Sequence, residues 1–231
     1  MRRWWVAAVI FVAGTAIGGT VVWVVARDDG GSGSSTKLAA DKAKPSAPAQ
    51  ELLDRIAAGE KGTYHVRYTY SGSSGTSAVM EVWRKADRVR RDLTVVSPVE
   101  GTARTQEFLE NGTLVRCLLI GDSPWQCTGA DVRTASALRD PLNGVNHDVA
   151  GKTVQLTTEN IAGQSAKCYS IIPATTASSG AKPTQFCFSA ESAPLRIDGG
   201  DGKPVEATDY DLKVDDSVFT YPAKVAGLAS T

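Results

Sequence analysis

Thr102–Gly129, TARTQEFLENGTLVRCLLIGDSPWQCTG, reads as three short strands joined by two turns. Asn111-Gly112 supplies two residues that tolerate positive φ, as a type I′ turn requires, and apolar runs flank it. A two-residue loop there sets Glu110 opposite Thr113, Leu109 opposite Leu114, Phe108 opposite Val115 and Glu107 opposite Arg116. The next turn, at Gly121-Asp122-Ser123, sets Leu119 opposite Trp125 and Cys117 opposite Cys127. Directly opposed residues in a non-hydrogen-bonded pair have Cα atoms roughly 4.5 Å apart, within reach of a disulfide. The turn and the cysteines thus agree on one register. It puts Phe108, Val115, Cys117, Leu119, Trp125 and Cys127 on one face, and Glu107 and Arg116 on the other.

Upstream the meander continues. Thr63–Tyr70 alternates, with Tyr64, Val66, Tyr68 and Tyr70 on an apolar face and His65, Arg67 and Thr69 on a wet one. A loop over Gly72–Ser77 leads to a strand at Val79–Lys85, apolar on both parities and therefore expected to be covered on both sides. Asp87–Val96 follows, with Val89, Leu93 and Val95 on one face and Arg88, Arg90 and Asp92 on the other. Arg91 falls on the apolar parity. Before these strands, Glu51–Ala58 carries Leu52, Leu53 and Ile56 at helical spacing, and Gly59 fits a C-terminal stop.

Downstream, Asp131–Leu142 has the spacing of a short helix that ends before Pro141. Strands return at Thr153–Glu159, Ala166–Pro173 and Thr184–Ser189. Cys168 and Cys187 face each other across the hairpin whose loop is Ala174–Ala181, although other cysteine pairings stay open at this level. Leu195–Gly199 and Val205–Leu212 form a further hairpin, and Val218–Pro222 closes the domain. The fold class is α+β, dominated by antiparallel strands.

Composition and the N-terminus place this domain. The formal net charge is zero, which argues against bulk attraction to nucleic acid. The 4 cysteines, none near the N-terminus, lack zinc-knuckle spacing and read as two disulfides formed in an oxidising compartment. Arg2-Arg3 precedes an apolar run from Trp4 to Ala26, long enough to cross a hydrocarbon core of roughly 30 Å. Trp4, Trp5 and Trp23 lie near its ends, where indoles favour the interface, and the arginines favour the cytoplasmic side. Residues 1–26 are therefore expected to be a single-pass anchor with its N-terminus in the cytoplasm and the domain outside. A cleaved signal ending at Val24-Val25-Ala26 is the alternative; the run is much longer than the usual h-region of about 7–15 residues. Residues 27–50, rich in Gly, Ser, Ala, Lys and Pro, form a linker. The domain occupies 51–223, and 224–231 is a tail.

A family likeness now emerges. Val82-Trp83-Arg84-Lys85-Ala86-Asp87-Arg88-Val89-Arg90 resembles the second-to-third strand signature of the LolA-like lipoprotein-localisation superfamily. Glu110-Asn111-Gly112-Thr113-Leu114 resembles its following hairpin. Ile161-Ala162-Gly163, Cys168-Tyr169, Pro194-Leu195-Arg196 and Phe219-Thr220-Tyr221-Pro222 resemble segments of its exported actinobacterial-type branch, which includes LppX- and LprG-like lipid carriers and the regulator RseB. The resemblance implies a strongly curved open antiparallel sheet, or half-barrel, with helices over its concave face and a cavity for acyl chains. Members of that branch are often anchored through a lipidated cysteine. This chain departs from them in offering a helix instead, which favours a tethered binder or sensor over a shuttling carrier.

The candidate cavity wall is Tyr64, Val66, Tyr68, Val89, Arg91, Leu93, Phe108, Val115, Leu119 and Trp125. Arg91 is singled out because an inward guanidinium needs an anionic partner, from the protein or from a ligand. Arg84, Lys85, Arg88, Arg90 and Arg91 form a basic cluster, read as a solvated strand face or as a contact for anionic head groups. Catalytic signals are weak. His65 and His147 lack metal-ligand partners at useful spacing, and Ser73-Ser74 does not match a nucleophile elbow. No phosphate-cradling glycine loop precedes a helix. The expectation is a membrane-tethered extracytoplasmic domain that binds a lipid or other long apolar ligand, with no enzymatic activity, cofactor, metal or nucleic acid. The alternative is an RseB-like envelope sensor that engages a peptide or protein partner.

Overall fold

Alternating strands with tight turns between them build most of the described residues into one sheet. The computed structural model describes residues 45–71, 75–131, 149, 152–172, 183–198 and 204–226. Helix α1 (Ala47–Gly59) comes first. Strands β1 (Thr63–Ser71), β2 (Ser77–Lys85), β3 (Arg88–Ser97), β4 (Gly101–Glu110), β5 (Thr113–Ile120) and β6 (Gln126–Asp131) follow as a meander. Strands β7 (Thr153–Ile161), β8 (Gln164–Ile172), β9 (Thr184–Phe188), β10 (Pro194–Asp198) and β11 (Val205–Asp211) form a second series. A 3-10 turn (Asp216–Phe219) and the short β12 (Val225–Ala226) end the described chain. The spatial order is β12-β6-β5-β4-β3-β2-β1-β11-β10-β9-β8-β7, twelve strands in an open sheet, antiparallel except where β12 joins β6. The expected segments 1–26 and Asp131–Leu142 beyond β6, and the loop Ala174–Ala181, lie outside the described residues. No helix among the described residues is long and apolar enough to cross a membrane.

The register at the central hairpins follows from the turns. Asn111 and Gly112 both have positive φ, at 49° and 73°. Glu110 pairs with Thr113, Phe108 with Val115 and Glu107 with Arg116. Cys117 lies opposite Cys127, and the two are joined, with Cα atoms 4.0 Å apart. Cys168 and Cys187 are paired likewise across β8 and β9. Ala162-Gly163, also at positive φ, makes the tight β7–β8 turn.

One half of the sheet curls. β7 and β11 are four steps apart in strand order, roughly 19 Å in a flat sheet. Their Cα atoms nevertheless approach within 8 Å. Two register shifts, at Thr208 on β11 and Leu195 on β10, add the local twist that such a bend needs. The curl buries Tyr64, Val66 and Tyr68 of β1 in a cluster with Ile161, Ala166, Cys168, Cys187 and Leu195. The Tyr68 hydroxyl donates to the Pro194 carbonyl at 2.5 Å.

Helix α1 begins at Ala47, a turn earlier than its apolar stripe indicates and inside the expected linker. Pro48 in the first turn has no amide hydrogen to waste there, and Ala49 is fully buried. With Leu52 and Ile56 it packs on Val154, Tyr169, Ile171, Phe186 and Phe188. Gly59 is the last helical residue, and its role is close approach rather than a left-handed turn. A Cβ there would sit 2.4 Å from the Ser192 carbonyl oxygen. Arg55 ties the same β9–β10 loop down by donating to the carbonyls of Ser189 and Ala190.

Candidate functional site

Strand pairing carries the faces from β1 to β6 without interruption. Val66, Val82, Arg91, Glu107 and Arg116 form one cross-strand row. Tyr68, Met80, Leu93, Thr105 and Leu118 form the next. This face, called the inner face because Tyr64, Val66 and Tyr68 on it enter the curled core, stays apolar well beyond β1. Val89, Val95, Leu109 and Leu118 are half-buried, while Leu93 is 38% and Ile120 40% exposed. None of these six belongs to the three core clusters among the described residues.

Charge crosses the middle of this apolar face, which we call the trough. Glu107 lies 3.8 Å from Arg91 and 3.0 Å from Arg116, so one carboxylate serves two guanidinium groups. Arg91 thus has a protein carboxylate as partner, and the row keeps one net positive charge. At the edge of this face near α1, Arg84 donates to the Glu60 carbonyl at 2.6 Å, which sets a cation at a helix C-terminus whose last turn has no basic residue. Tyr70, on the same face of β1, has its phenol pushed up to about 12 by burial, against a smaller opposing pull from Arg91.

The other face carries a strap. Phe108, Val115, Cys117 and Cys127 pack beneath Tyr221, Ala223 and Val225. Tyr221 meets Phe108 edge-on at 5.0 Å. Lys85 and Arg88 both pair with Asp216, and these contacts hold its carboxyl below the usual carboxylate range, Lys85 contributing most. Arg88 also lies over the Phe219 ring at 4.5 Å. Arg90 donates to the Val218 carbonyl and to Asp92.

The candidate wall residues therefore divide between two surfaces. Tyr64, Val66, Tyr68, Val89, Arg91 and Leu93 share the inner face. Phe108 and Val115 lie on the opposite face under the strap, with Leu119 and Trp125 on the same side. The basic cluster divides the same way: Arg84 and Arg91 inside, Lys85, Arg88 and Arg90 holding the strap. Leu109, Leu118 and Ile120 were missed as trough residues, although alternation from Arg116 places Leu114, Leu118 and Ile120 opposite Cys117. The strap had its own signal in Asp215-Asp216 followed by Phe219 and Tyr221, the complement of a basic, aromatic strand.

His65 stacks on Trp83 at 4.7 Å, with Nε2 3.3 Å from Glu81. His147 is outside the described residues. Glu159 comes near Cys168 and Cys187, but both sulfurs are in the disulfide and Glu159 accepts from Arg196.

No protein-family model matches the chain, and no curated protein matches it. Solved structures similar to it include MucB, 14% identical over 76% of this chain and 63% of that one, with a TM-score of 0.47. MucB in complex with MucA(peri) is 12% identical over 78% and 63%, with a TM-score of 0.48. An uncharacterized conserved protein from Thermus thermophilus is 13% identical over 77% and 98%, with a TM-score of 0.45. The chain thus spans 63% of the length of MucB.

Proposed function

We propose that this is a membrane-tethered extracytoplasmic domain that binds a lipid or similar amphiphile along the inner face of its sheet. The observation that carries the reading is the trough of Val89, Leu93, Val95, Leu109, Leu118 and Ile120, apolar surface outside the described core clusters. An acyl chain laid there exchanges water for side chains at about 25 cal/mol per Å². The Arg91–Glu107–Arg116 row gives an anionic head group a place to sit, because its net charge is positive. The run Trp4–Ala26 with Arg2-Arg3 would hold the domain at the outer surface, and the disulfides suit that compartment.

The test is uptake of a fluorescent fatty acid by the full chain in nanodiscs. Wild type should saturate, and Leu93→Asp with Ile120→Asp should weaken binding about tenfold or more, since each places a charge against the chain. Equal uptake by wild type and the double variant would remove the trough from consideration.

A second reading has its own support. β7 ends the sheet, and Gln155, Leu156, Thr157, Thr158 and Asn160 along it are exposed. Such an edge can take a strand from a peptide or protein partner in the envelope. Cross-linking from Thr157→Cys in whole cells would capture that partner; its absence there would leave the lipid reading alone.

A further inference from the structure

A polar pocket of about 220 Å³ lies on the strapped face, lined by Glu81, Asp92, Thr94, Arg104, Gln106 and Trp125. The sheet places most of its groups by register: Glu81, Asp92 and Gln106 form one cross-strand row, and Thr94 and Arg104 pair in the next. Trp125 arrives from the β5–β6 turn. One part of its indole packs on the Phe108, Val115, Cys117 and Cys127 cluster, which fixes the ring as a wall.

The polar groups are held in advance. Gln106 donates to Asp92 at 3.0 Å, and Arg90 donates to the same carboxylate at 2.7 Å. Glu81 faces His65 at 3.3 Å. Asp92 already meets donors from Arg90 and Gln106, so a cationic guest would gain little from it, and Glu81 stands beside it in the same row. Their remaining lone pairs, with the donors of Arg104 and Thr94, match groups that both give and accept hydrogen bonds. Hydroxyls do so. The flat indole matches an apolar ring face. A pocket this small, below the 300 Å³ or so where drug-sized sites begin, takes one ring.

We propose that this pocket binds a single neutral sugar ring, its C–H face against Trp125 and its hydroxyls on Asp92, Gln106 and Arg104. The site lies on the face opposite the apolar trough and does not depend on lipid binding. Sugars are titrated into the full chain in lipid nanodiscs, using methyl glucoside, methyl mannoside and N-acetylglucosamine. The readout is the indole N–H resonance of Trp125, assigned by its loss in Trp125→Phe. At least one sugar should shift it saturably, with a dissociation constant on the order of 1 mM, as a ligand of about a dozen heavy atoms allows. Gln106→Ala should weaken that binding about tenfold by removing one part-buried hydrogen-bonding group and loosening Asp92. Leu93→Asp, on the other face, should leave it unchanged. A flat titration with all three sugars overturns the assignment, as does equal affinity in Gln106→Ala or tighter binding of choline than of any sugar.

Discussion

Glu107 shows how much one side chain decides. By alternation it belongs with Arg116, and the hairpin register delivers that contact. Its second contact, to Arg91, needs β3 to pair with β4 in the register observed, which brings Arg91 opposite Glu107. Arg91 was legible as inward-facing, but its partner required the next hairpin to be placed. The tyrosines give a further residue-scale expectation. Burial pushes Tyr70, Tyr169 and Tyr210 up to about 12, from an ordinary 10.0. The folded protein therefore favours their neutral form over what the unfolded chain does. That contribution is whole below pH 10 and is lost as pH rises toward 12. Absorbance at the tyrosinate band should show these tyrosines ionising late, together with unfolding, and Tyr221, also raised by burial, should lag as well. Ionisation of all tyrosines near pH 10 with the fold intact would contradict their burial.

Elements were legible where their signals were local. Asn111-Gly112 fixed β4 and β5, and the cysteines extended that register to β6. The helix stripe of Leu52 and Ile56 gave α1 its buried face. Nothing local announces that β1 pairs with β11, or that the strap crosses β3 to β6, because those contacts join residues far apart in the sequence. The same limit explains why Phe108 and Val115 were grouped with Tyr64: strand parity within one hairpin does not fix its parity against another. Gly59 is a related case. Its sequence position suits a helix stop, whereas the structure uses it for contact with Ser192. Gly59→Ala should cost about 1–3 kcal/mol by overpacking, measured by urea denaturation. No loss of stability would mean that α1 and the β9–β10 loop do not touch. Removing either disulfide, as Cys117→Ser with Cys127→Ser or Cys168→Ser with Cys187→Ser, should cost about 3 kcal/mol, since closure entropy grows only logarithmically between separations of 10 and 19 residues. Melting under reducing agent checks this independently.

At the scale of the molecule, a twelve-strand sheet has been divided into two tasks. The β7–β11 half, with α1, curls over β1 and makes most of the described core. The β2–β6 half is steadied from outside by the strap, so its inner face need not be filled for the fold to hold. That separation makes an apolar trough tolerable in stability, and it leaves Leu93 and Ile120 exposed.

The most direct measurement is mass spectrometry of the organic extract from the full chain, purified from its native membrane and washed free of bulk lipid. Wild type should carry one amphiphile in near-stoichiometric amount, and the variant with Leu93→Asp and Ile120→Asp should carry little. The same extract from both, or an empty extract from wild type, would contradict binding along the inner face.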